Sequence, residues 1–325
     1  MNRKVIFTLE PWPTRQPFSI TGHTFTEARV LVVTLEEQGA IGRGEATGVY
    51  YLDDMGEKML AQAQTLIPEL ESGLDRQTLQ SRLPRGGARN AIDCALWDLE
   101  VKLTNKTIWQ LTGIEPRQVT TVNTVGIDTP QAMAKFATSL NTPKIKVKLD
   151  GEQVIERLQA VCKARPDAEI VVDANQGWSF PQLVELAPQL AQLGIAMIEQ
   201  PLPRGEDAAL EHYRSPVPLC ADESCLDRSE LEQAAGRYQM INIKLDKTGG
   251  LTEALALAKQ ATSLGLGLMV GNMLGTSLAM APAFVIAQFC QLADLDGPVW
   301  LAHDRECGMD FTDGLVQLPK STLWG

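Results

Sequence analysis

The feature that most constrains the fold is a series of short β-prone segments that recur at intervals of roughly 25 residues from about residue 118 onwards. The eight segments are TTVNTVGI (120–127), KIKVKLD (144–150), AEIVVDAN (168–175), AMIEQP (196–201), PLCADES (218–224), QMINIKLD (239–246), LGLMVGNM (266–273) and LADLDG (292–297). Each gap holds enough helix-forming sequence for one crossover helix, such as QVIERLQAVCKA. Eight such units predict a closed parallel (β/α) barrel. An open doubly wound sheet is the alternative, but no Gly-rich dinucleotide turn follows the first strand.

The first part of the chain lacks this alternation of strand and helix. Residues 3–9 and 28–36 are predicted strands, and Gln38-Gly39 joins the second of them to a hairpin partner, IGRGEA. Residues 54–72 and 87–104 show the apolar spacing of helices. We therefore expect an α+β unit before the barrel.

Composition limits the classes of partner. With 44% hydrophobic and 21% charged residues, the chain has the composition of a globular protein with a sizeable core. The formal net charge of -11 leaves no basic face for a nucleic acid or an anionic membrane surface, so we expect a small-molecule partner. No apolar leader and no run of membrane-spanning length is present, which predicts a cytoplasmic protein. A homo-oligomer is compatible with the sequence.

Cysteine and histidine do not provide an obvious site. The six cysteines are scattered without a C-x-x-C pair, which argues against a zinc knuckle or a disulfide framework. The three histidines lie far apart in the chain. Catalysis by histidine and His-rich metal sites are therefore disfavoured.

Charged residues stand where most of the predicted barrel strands end. They are Lys146, Lys148, Asp173, Glu199, Asp222, Lys244, Asp294 and Asp296. In a parallel barrel the carboxyl ends of the strands form the mouth of the active site. Residues that are far apart in sequence are thus predicted to converge there.

Three of these acids predict a metal site. Asp173, Glu199 and Asp222 are one βα unit apart, so they end three adjacent strands. Each acid alone is more simply interpreted as a solvated strand end, but three in register describe a site for a hard cation, Mg²⁺ in preference to zinc.

Three lysines complete the predicted chemistry. Lys146 and Lys148 are two residues apart on one strand and share a face, and Lys244 faces them from the opposite wall of the barrel. A lysine acts as a base only when neutral, and a neighbouring ammonium group and a dication would lower its pKa. Two bases on opposite faces of one carbon are what inversion requires. Lys247 is the weaker candidate, because it has the opposite parity and lies past the predicted strand end.

The sequence resembles the muconate-lactonizing-enzyme subgroup of the enolase superfamily, and most closely its dipeptide epimerases, over nearly the whole chain. The stretches that carry the resemblance are ARNAIDCALWDLEVKL (88–103), KVKLD (146–150), VVDAN (171–175), IEQPLP (198–203), ADES (221–224), NIKLDKTGG (242–250) and DLDGP (294–298). The resemblance implies an α/β fold, a (β/α)7β TIM-like barrel (116–310) with an N-terminal α+β capping domain (1–115) and a tail (311–325) that returns to the cap.

The resemblance also implies functional roles. Lys148 and Lys244 would be the acid/base catalysts, with Lys146 as electrostatic support, and Asp173, Glu199 and Asp222 would hold Mg²⁺. The D-x-D-G element at Asp294 and Asp296 would take the α-ammonium group of a dipeptide. Further substrate contacts are expected from Thr124 on the first strand and from the two cap loops, at Gly22, His23 and Tyr50.

One departure from the family pattern concerns specificity. Relatives that act on a C-terminal glutamate tend to carry an arginine in the first cap loop, which would match a carboxylate. Gly22 and His23 stand there instead. The reaction implied is epimerisation of a dipeptide at its C-terminal residue by two-base proton transfer through a metal-stabilised enolate, with the side-chain specificity open. The alternatives are o-succinylbenzoate synthesis or muconate cycloisomerisation, and, from another class, a noncatalytic carboxylate-binding barrel.

Overall fold

The structure, a computed structural model, describes residues 3–20 and 22–325. Its first sheet has three antiparallel strands in the order β1-β2-β3. The strands are β1 Lys4–Ile20, β2 His23–Glu37 and β3 Ala40–Ala46. Both predicted strands are therefore present, and β1 and β2 extend beyond them as a long hairpin.

Among the helices of the first part, the first, second and fourth contact this sheet, and the third and fifth contact the fourth. They are α1 Glu57–Gln64, α2 Ile67–Glu71, α3 Arg76–Leu79, α4 Gly87–Thr104 and α5 Ile108–Thr112. Between β3 and α1 lie β4 Gly48–Val49, a 3₁₀ turn Tyr50–Leu52 and β5 Asp54–Met55. The single helix predicted over 54–72 is thus replaced by β5 and two shorter helices.

Helix α4 is buried on nearly every side, because it lies between the first sheet and the barrel. Gly44 in β3 permits the close approach, since a Cβ at that position would lie 2.1 Å from the carbonyl oxygen of Ala91. A helix that is buried all round cannot show a clean amphipathic stripe. Its extensive burial fixes the N-terminal unit on the barrel.

The barrel contains the eight predicted strands in sequential parallel order. They are β7 Asn123–Val125, β8 Lys144–Lys148, β9 Glu169–Asp173, β10 Met197–Glu199, β11 Leu219–Ala221, β12 Met240–Ile243, β13 Gly267–Val270 and β14 Leu292–Ala293. A bridge between Thr121 and Ala293 closes the cylinder. The (β/α) barrel prediction is confirmed.

Helices connect most of these strands. They are α6 Pro130–Thr138, α7 Val154–Ala164, α8 Phe180–Gln192, α9 Leu231–Arg237, α10 Leu245–Thr248, α11 Leu251–Ser263, α12 Ser277–Ala287 and α13 Gly297–Trp300. The gap between β10 and β11 departs from the prediction, because it holds only the 3₁₀ segment Ala208–His212. Pro203, Gly205 and Pro216 interrupt that gap and disfavour a full helix.

No helix among the described residues is long and apolar enough to cross a membrane.

A small sheet and the C-terminal segment join the two parts. Strands β15 Phe311–Thr312 and β16 Leu315–Val316 pair with β6 Val119–Thr120. Trp324 then donates from Nε1 to the carbonyl oxygen of Cys94 in α4 at 3.0 Å. The limits of the capping domain, the barrel and the tail at residues 115 and 310 stay predictions.

Candidate functional site

The charged residues that the sequence singles out lie at the carboxyl ends of the barrel strands. Alternation along each strand directs Lys146 and Lys148, and likewise Val171 and Asp173, to one side. Val171 belongs to the apolar cluster inside the barrel, together with Met197 and Cys220. The charged groups therefore cap the barrel interior at its mouth.

Lys146 links three carboxylates. Its Nζ lies 2.9 Å from Asp173 Oδ2, 2.7 Å from Glu199 Oε2 and 2.9 Å from Asp294 Oδ2. The residue is 1% exposed, and a charge buried to that extent requires partners of opposite sign. Burial alone would lower the pKa of Lys146, but Asp173, Asp294 and Glu199 outweigh it and raise the pKa above its usual value. Lys146 is thus a fixed cation.

Lys148 and Lys244 each bind one of the candidate metal ligands. Lys148 donates to Asp173 Oδ2 at 2.6 Å and to Asn175 Oδ1 at 3.0 Å. Lys244 donates to Asp222 Oδ2 at 2.6 Å. The pKa of Lys244 is raised, because Asp222 and Glu199 outweigh the effect of burial. Beside these carboxylates alone, Lys244 therefore does not have the lowered pKa expected for a lysine base.

The pKa values of the three carboxyl groups diverge. Burial would raise the pKa of Asp173, but Lys146 and Lys148 hold it below its usual range. Lys244 and Lys247 outweigh burial in the same way and lower the pKa of Asp222. Burial and the neighbouring charge of Asp173 raise the pKa of Glu199. The site therefore holds closely packed negative charge that depends on nearby cations.

The candidate metal site suits a hard cation by its chemistry more than by the arrangement of its side chains. Within residues 3–20 and 22–325, no three carboxylate, thiol or imidazole groups are arranged to hold a metal ion. Lysine ammonium groups lie against the carboxylates instead. The chemistry of the set nevertheless fits a hard cation, since Asp173, Glu199 and Asp222 are buried side by side and offer only oxygen atoms as ligands. A bound cation would take over from ammonium groups as the counter-charge of these oxygens.

Lys148 and Lys244 line the same pocket, although β8 and β12 are four strands apart in the barrel. Asn175, Asp222 and Glu223 share the floor of this pocket. The opposite wall comes from the first part of the chain. The residues of that wall are Ile20, Phe25, Tyr50, Tyr51 and Met55. The pocket therefore lies between the barrel mouth and the cap.

The predicted ammonium site lies to one side of this pocket. Asp294 Oδ2 is paired with Lys146, whereas Asp296 Oδ2 accepts hydrogen bonds from the backbone N–H of Thr124 at 2.9 Å and from Trp300 Nε1 at 3.2 Å. Burial and Asp294 raise the pKa of Asp296 to about 7. Thr124 and Asp296 line a separate cavity of about 230 Å³. The structure thus brings Thr124 and Asp296 together.

The residues predicted in the two cap loops, Gly22, His23 and Tyr50, differ in their position relative to the pocket. Tyr50 lines the pocket, and its contact with a substrate stays a prediction. His23 is exposed at the start of β2 and stacks on the Tyr50 ring, with centroids 5.3 Å apart. Gly22 has a φ of 74° and no atom within 4 Å of an added Cβ. Neither Gly22 nor His23 is among the described residues that line the pocket, and Thr21 lies outside the described residues.

Sequence reasoning missed several buried groups at the site. Asn242 donates from Nδ2 to Glu199 Oε1 at 2.7 Å. It is two residues before Lys244, so the same parity rule that found Lys146 and Lys148 could have found it. Glu223, directly after Asp222, is 1% exposed and its Oε2 has no hydrogen-bond partner. Burial and the charges of Asp222 and Asp173 raise the pKa of Glu223 to about 8.

Two family models match the chain and together cover most of it. One describes the N-terminal domain of mandelate racemase and muconate lactonizing enzyme and matches residues 2–113. The other describes an enolase C-terminal domain-like unit and matches residues 131–322. The chain therefore belongs to the mandelate racemase and muconate lactonizing enzyme family of the enolase superfamily.

The chain is also similar to individual enzymes over most of its length. An L-Ala-D/L-Glu epimerase of Escherichia coli is 48% identical over 95% of this chain and 98% of its own length. An N-acetyl-D-glutamate racemase of a Pseudoalteromonas species is 44% identical over 78% of this chain and 80% of its own length.

Solved structures of dipeptide epimerases and their relatives are also similar to this chain. An Agrobacterium tumefaciens enolase family member with homology to dipeptide epimerases, bound to sodium and L-Ala-L-Glu, has a TM-score of 0.97 and 40% identity over 99% of this chain and 100% of that one. Three further matches, at 28%, 25% and 29% identity, are dipeptide epimerases complexed with Mg and a dipeptide.

Proposed function

We propose that this chain is a Mg²⁺-dependent dipeptide epimerase that inverts the α-carbon of the C-terminal residue. The observation that carries the proposal is the placement of Lys148 and Lys244. They come from strands four apart in the barrel, line one pocket, and each contacts a different carboxylate of the candidate metal site. Relatives in the same family that are named as dipeptide epimerases support it.

In this proposal Asp173, Glu199 and Asp222 hold Mg²⁺. The ion supplies positive charge against the substrate carboxylate, on which negative charge develops when the α-proton leaves. Enolase-superfamily sites pair this role of Mg²⁺ with a Lys or His base. Lys146, fully buried among three carboxylates, adds a second fixed positive charge.

Lys148 and Lys244 divide the proton transfer. A lysine that is neutral at Nζ takes the α-proton from one face of the carbon, and the ammonium group on the other side donates a proton to the opposite face. A cation on Asp173 and Asp222 offsets the attraction that these carboxylates exert on the two lysines, which favours loss of a lysine proton.

Asp296 is the proposed acceptor of the substrate α-ammonium group, with Asp294 beside it. A carboxylate there gains a charge-assisted hydrogen bond from an ammonium donor. Synthesis of o-succinylbenzoate and cycloisomerisation of muconate use substrates without an ammonium group, so they leave this acidic pair unexplained. A noncatalytic binder has no use for two lysines on opposite walls of one pocket.

A second candidate is racemisation of an N-acylated amino acid, favoured by the 44% identity to an N-acetyl-D-glutamate racemase. The proton chemistry would be the same, but an acylated nitrogen carries no charge for Asp296 to neutralise. Free dipeptides and N-acetylated amino acids therefore distinguish the two candidates. We also propose a cytoplasmic location.

The decisive experiment is incubation of a library of free dipeptides and N-acetylamino acids with the protein and Mg²⁺ in D₂O. Mass spectrometry reads α-deuteration, and chiral chromatography reads inversion. We expect deuterium at the C-terminal α-carbon of free dipeptides, and Asp296→Asn should reduce their turnover with little effect on Mg²⁺ binding. Deuteration of the N-acetylamino acids alone would select the second candidate, and no exchange in any compound would refute both.

A further inference from the structure

Among the described residues, the cap-side wall of the pocket carries no charged side chain. Ile20, Phe25 and Met55 contribute apolar surface, and Tyr50 and Tyr51 contribute aromatic rings. Met273 and Leu274 continue this surface from the loop after β13. Large apolar side chains on both sides of a pocket favour a ligand group that is itself apolar.

The positively charged side chains among the described residues of the pocket lining already have carboxylate partners. They are Lys148 and Lys244, bound to Asp173 and Asp222 at the floor. A substrate that places its α-carbon between these lysines projects its side chain towards the cap wall. A carboxylate on that side chain would find no guanidinium or ammonium group among the described residues of that wall, and burying an unpaired carboxylate is strongly unfavourable.

The polar group that this wall offers is also uncharged. The Tyr51 hydroxyl is buried without a hydrogen-bond partner, and burial raises the pKa of this phenol. The hydroxyl can donate one hydrogen bond, which does not replace the positive charge that a buried carboxylate requires. Glu223 lines the same pocket and supplies no positive charge to a substrate carboxylate.

We infer that the epimerised residue of the preferred substrate has a large uncharged side chain, aliphatic or aromatic, in place of glutamate. This inference rests on the proposed dipeptide epimerase function and adds the substrate class. It sets the chain apart from the Agrobacterium tumefaciens match, which holds L-Ala-L-Glu.

A substrate series of nearly constant side-chain length separates charge from size. The measurement is kcat/KM for epimerisation of L-Ala-L-Met, L-Ala-L-Gln and L-Ala-L-Glu, with L-Ala-L-Phe as the aromatic member. We expect Met and Phe to exceed Glu at least tenfold, with Gln between them. A value for Glu equal to or above that for Met overturns the inference but leaves the proposed function intact. If no member of the series is turned over, the proposed function fails and the inference falls with it.

A positive charge introduced into the cap-side wall should reverse the order of preference between the Glu and Met dipeptides. Phe25→Arg introduces a guanidinium group into the cap wall and should move the Glu to Met ratio at least tenfold towards Glu, whereas Phe25→Leu should keep the apolar preference. Met55→Lys tests the same shift from another position if Phe25→Arg does not fold. An unchanged ratio in a folded Arg or Lys variant contradicts the inference.

The His23 ring also lies close to this wall, because it stacks on Tyr50. We expect His23→Ala to leave the order of the four dipeptides unchanged. A wild-type preference for Glu that disappears in His23→Ala would show that the imidazolium serves a substrate carboxylate, and the inference would be wrong.

Discussion

Lys247 holds Asp222 at two points, with its Nζ 2.6 Å from Oδ1 and 2.6 Å from the backbone carbonyl oxygen. The same ammonium group donates to the carbonyl oxygens of Asn242 at 2.9 Å and Cys225 at 3.2 Å. These bonds join the ends of β11 and β12. They leave Asp222 Oδ2 facing Lys244.

Replacement of Lys247 by Met should therefore weaken Mg²⁺ binding. Residues that orient a metal ligand typically contribute about 10- to 100-fold in metal affinity, and we expect a loss of that order. Titration of Mg²⁺ against activity and calorimetry would measure it. The exposed Lys259→Met is the matched control. A Lys247→Met protein that is less stable but keeps its Mg²⁺ affinity would show that Lys247 serves the fold alone.

Removal of the metal should abolish epimerisation, because three carboxylates and a substrate carboxylate then lack their main counter-charge. Excess EDTA should stop turnover and added Mg²⁺ should restore it. Asp222→Asn should lose activity while its circular dichroism spectrum stays unchanged, and the exposed Asp310→Asn should behave as wild type. Full activity in excess EDTA would refute the metal assignment.

The barrel can be predicted because each of its strands is indicated by a short stretch of sequence. Each strand is a short β-prone run with its own polar end, and the spacing alone indicates eight units. The cap hairpin was not predictable in the same way. Residues 10–20 contain Pro11, Pro13 and Pro17, which argue against a strand, yet β1 spans them. It is the edge strand of the order β1-β2-β3, where the missing N–H groups of proline are tolerated.

At the site, parity along the strands places the lysines and acids but not the residues beyond the strand ends. Parity along the strand disfavours Lys247, which also lies past the predicted strand end. Helix α10 begins at Leu245, and the change from strand to helix turns Lys247 back into the interior, where it is 1% exposed. Phe25 and Tyr50 form a pocket wall only because the hairpin docks on the barrel. The spacing of apolar residues in either segment does not predict this docking.

Asp93 should make stability depend on pH. Burial raises the pKa of this carboxyl to about 6, although Thr252 donates its backbone N–H at 2.9 Å. The unfolded value is about 3.9. Between these values the folded state binds more protons than the unfolded state, so the free energy of unfolding falls as pH rises and levels off above about 6.

Asp93→Asn should remove the contribution of this carboxyl group to the pH dependence of the free energy of unfolding. The difference in unfolding free energy between variant and wild type should change by about 2 to 3 kcal/mol between pH 4 and pH 7, as a shift of about two pKa units implies. Urea unfolding at several pH values would measure it, with Asp310→Asn as the exposed control. Parallel curves for Asp93→Asn and wild type would contradict the raised pKa.

The two lysines should act on different enantiomers, because β8 and β12 approach the substrate from opposite walls of the barrel. We expect Lys148→Ala and Lys244→Ala each to abolish epimerisation while the fold and the Mg²⁺ affinity are retained. Each variant keeps one base, so it should still exchange the α-proton of the enantiomer that faces the remaining lysine, with retention of configuration.

The measurement is α-deuterium incorporation in D₂O into dipeptides that end in an L or a D residue, for each variant separately. The pattern of the two variants should be reciprocal, one enantiomer for Lys148→Ala and the other for Lys244→Ala. Lys144→Ala, on the same strand as Lys148 but outside the pocket, is the control and should epimerise both. Full epimerisation by Lys244→Ala would mean that one base suffices or that another residue is the second base, because no proton donor would then be needed on the β12 side of the carbon.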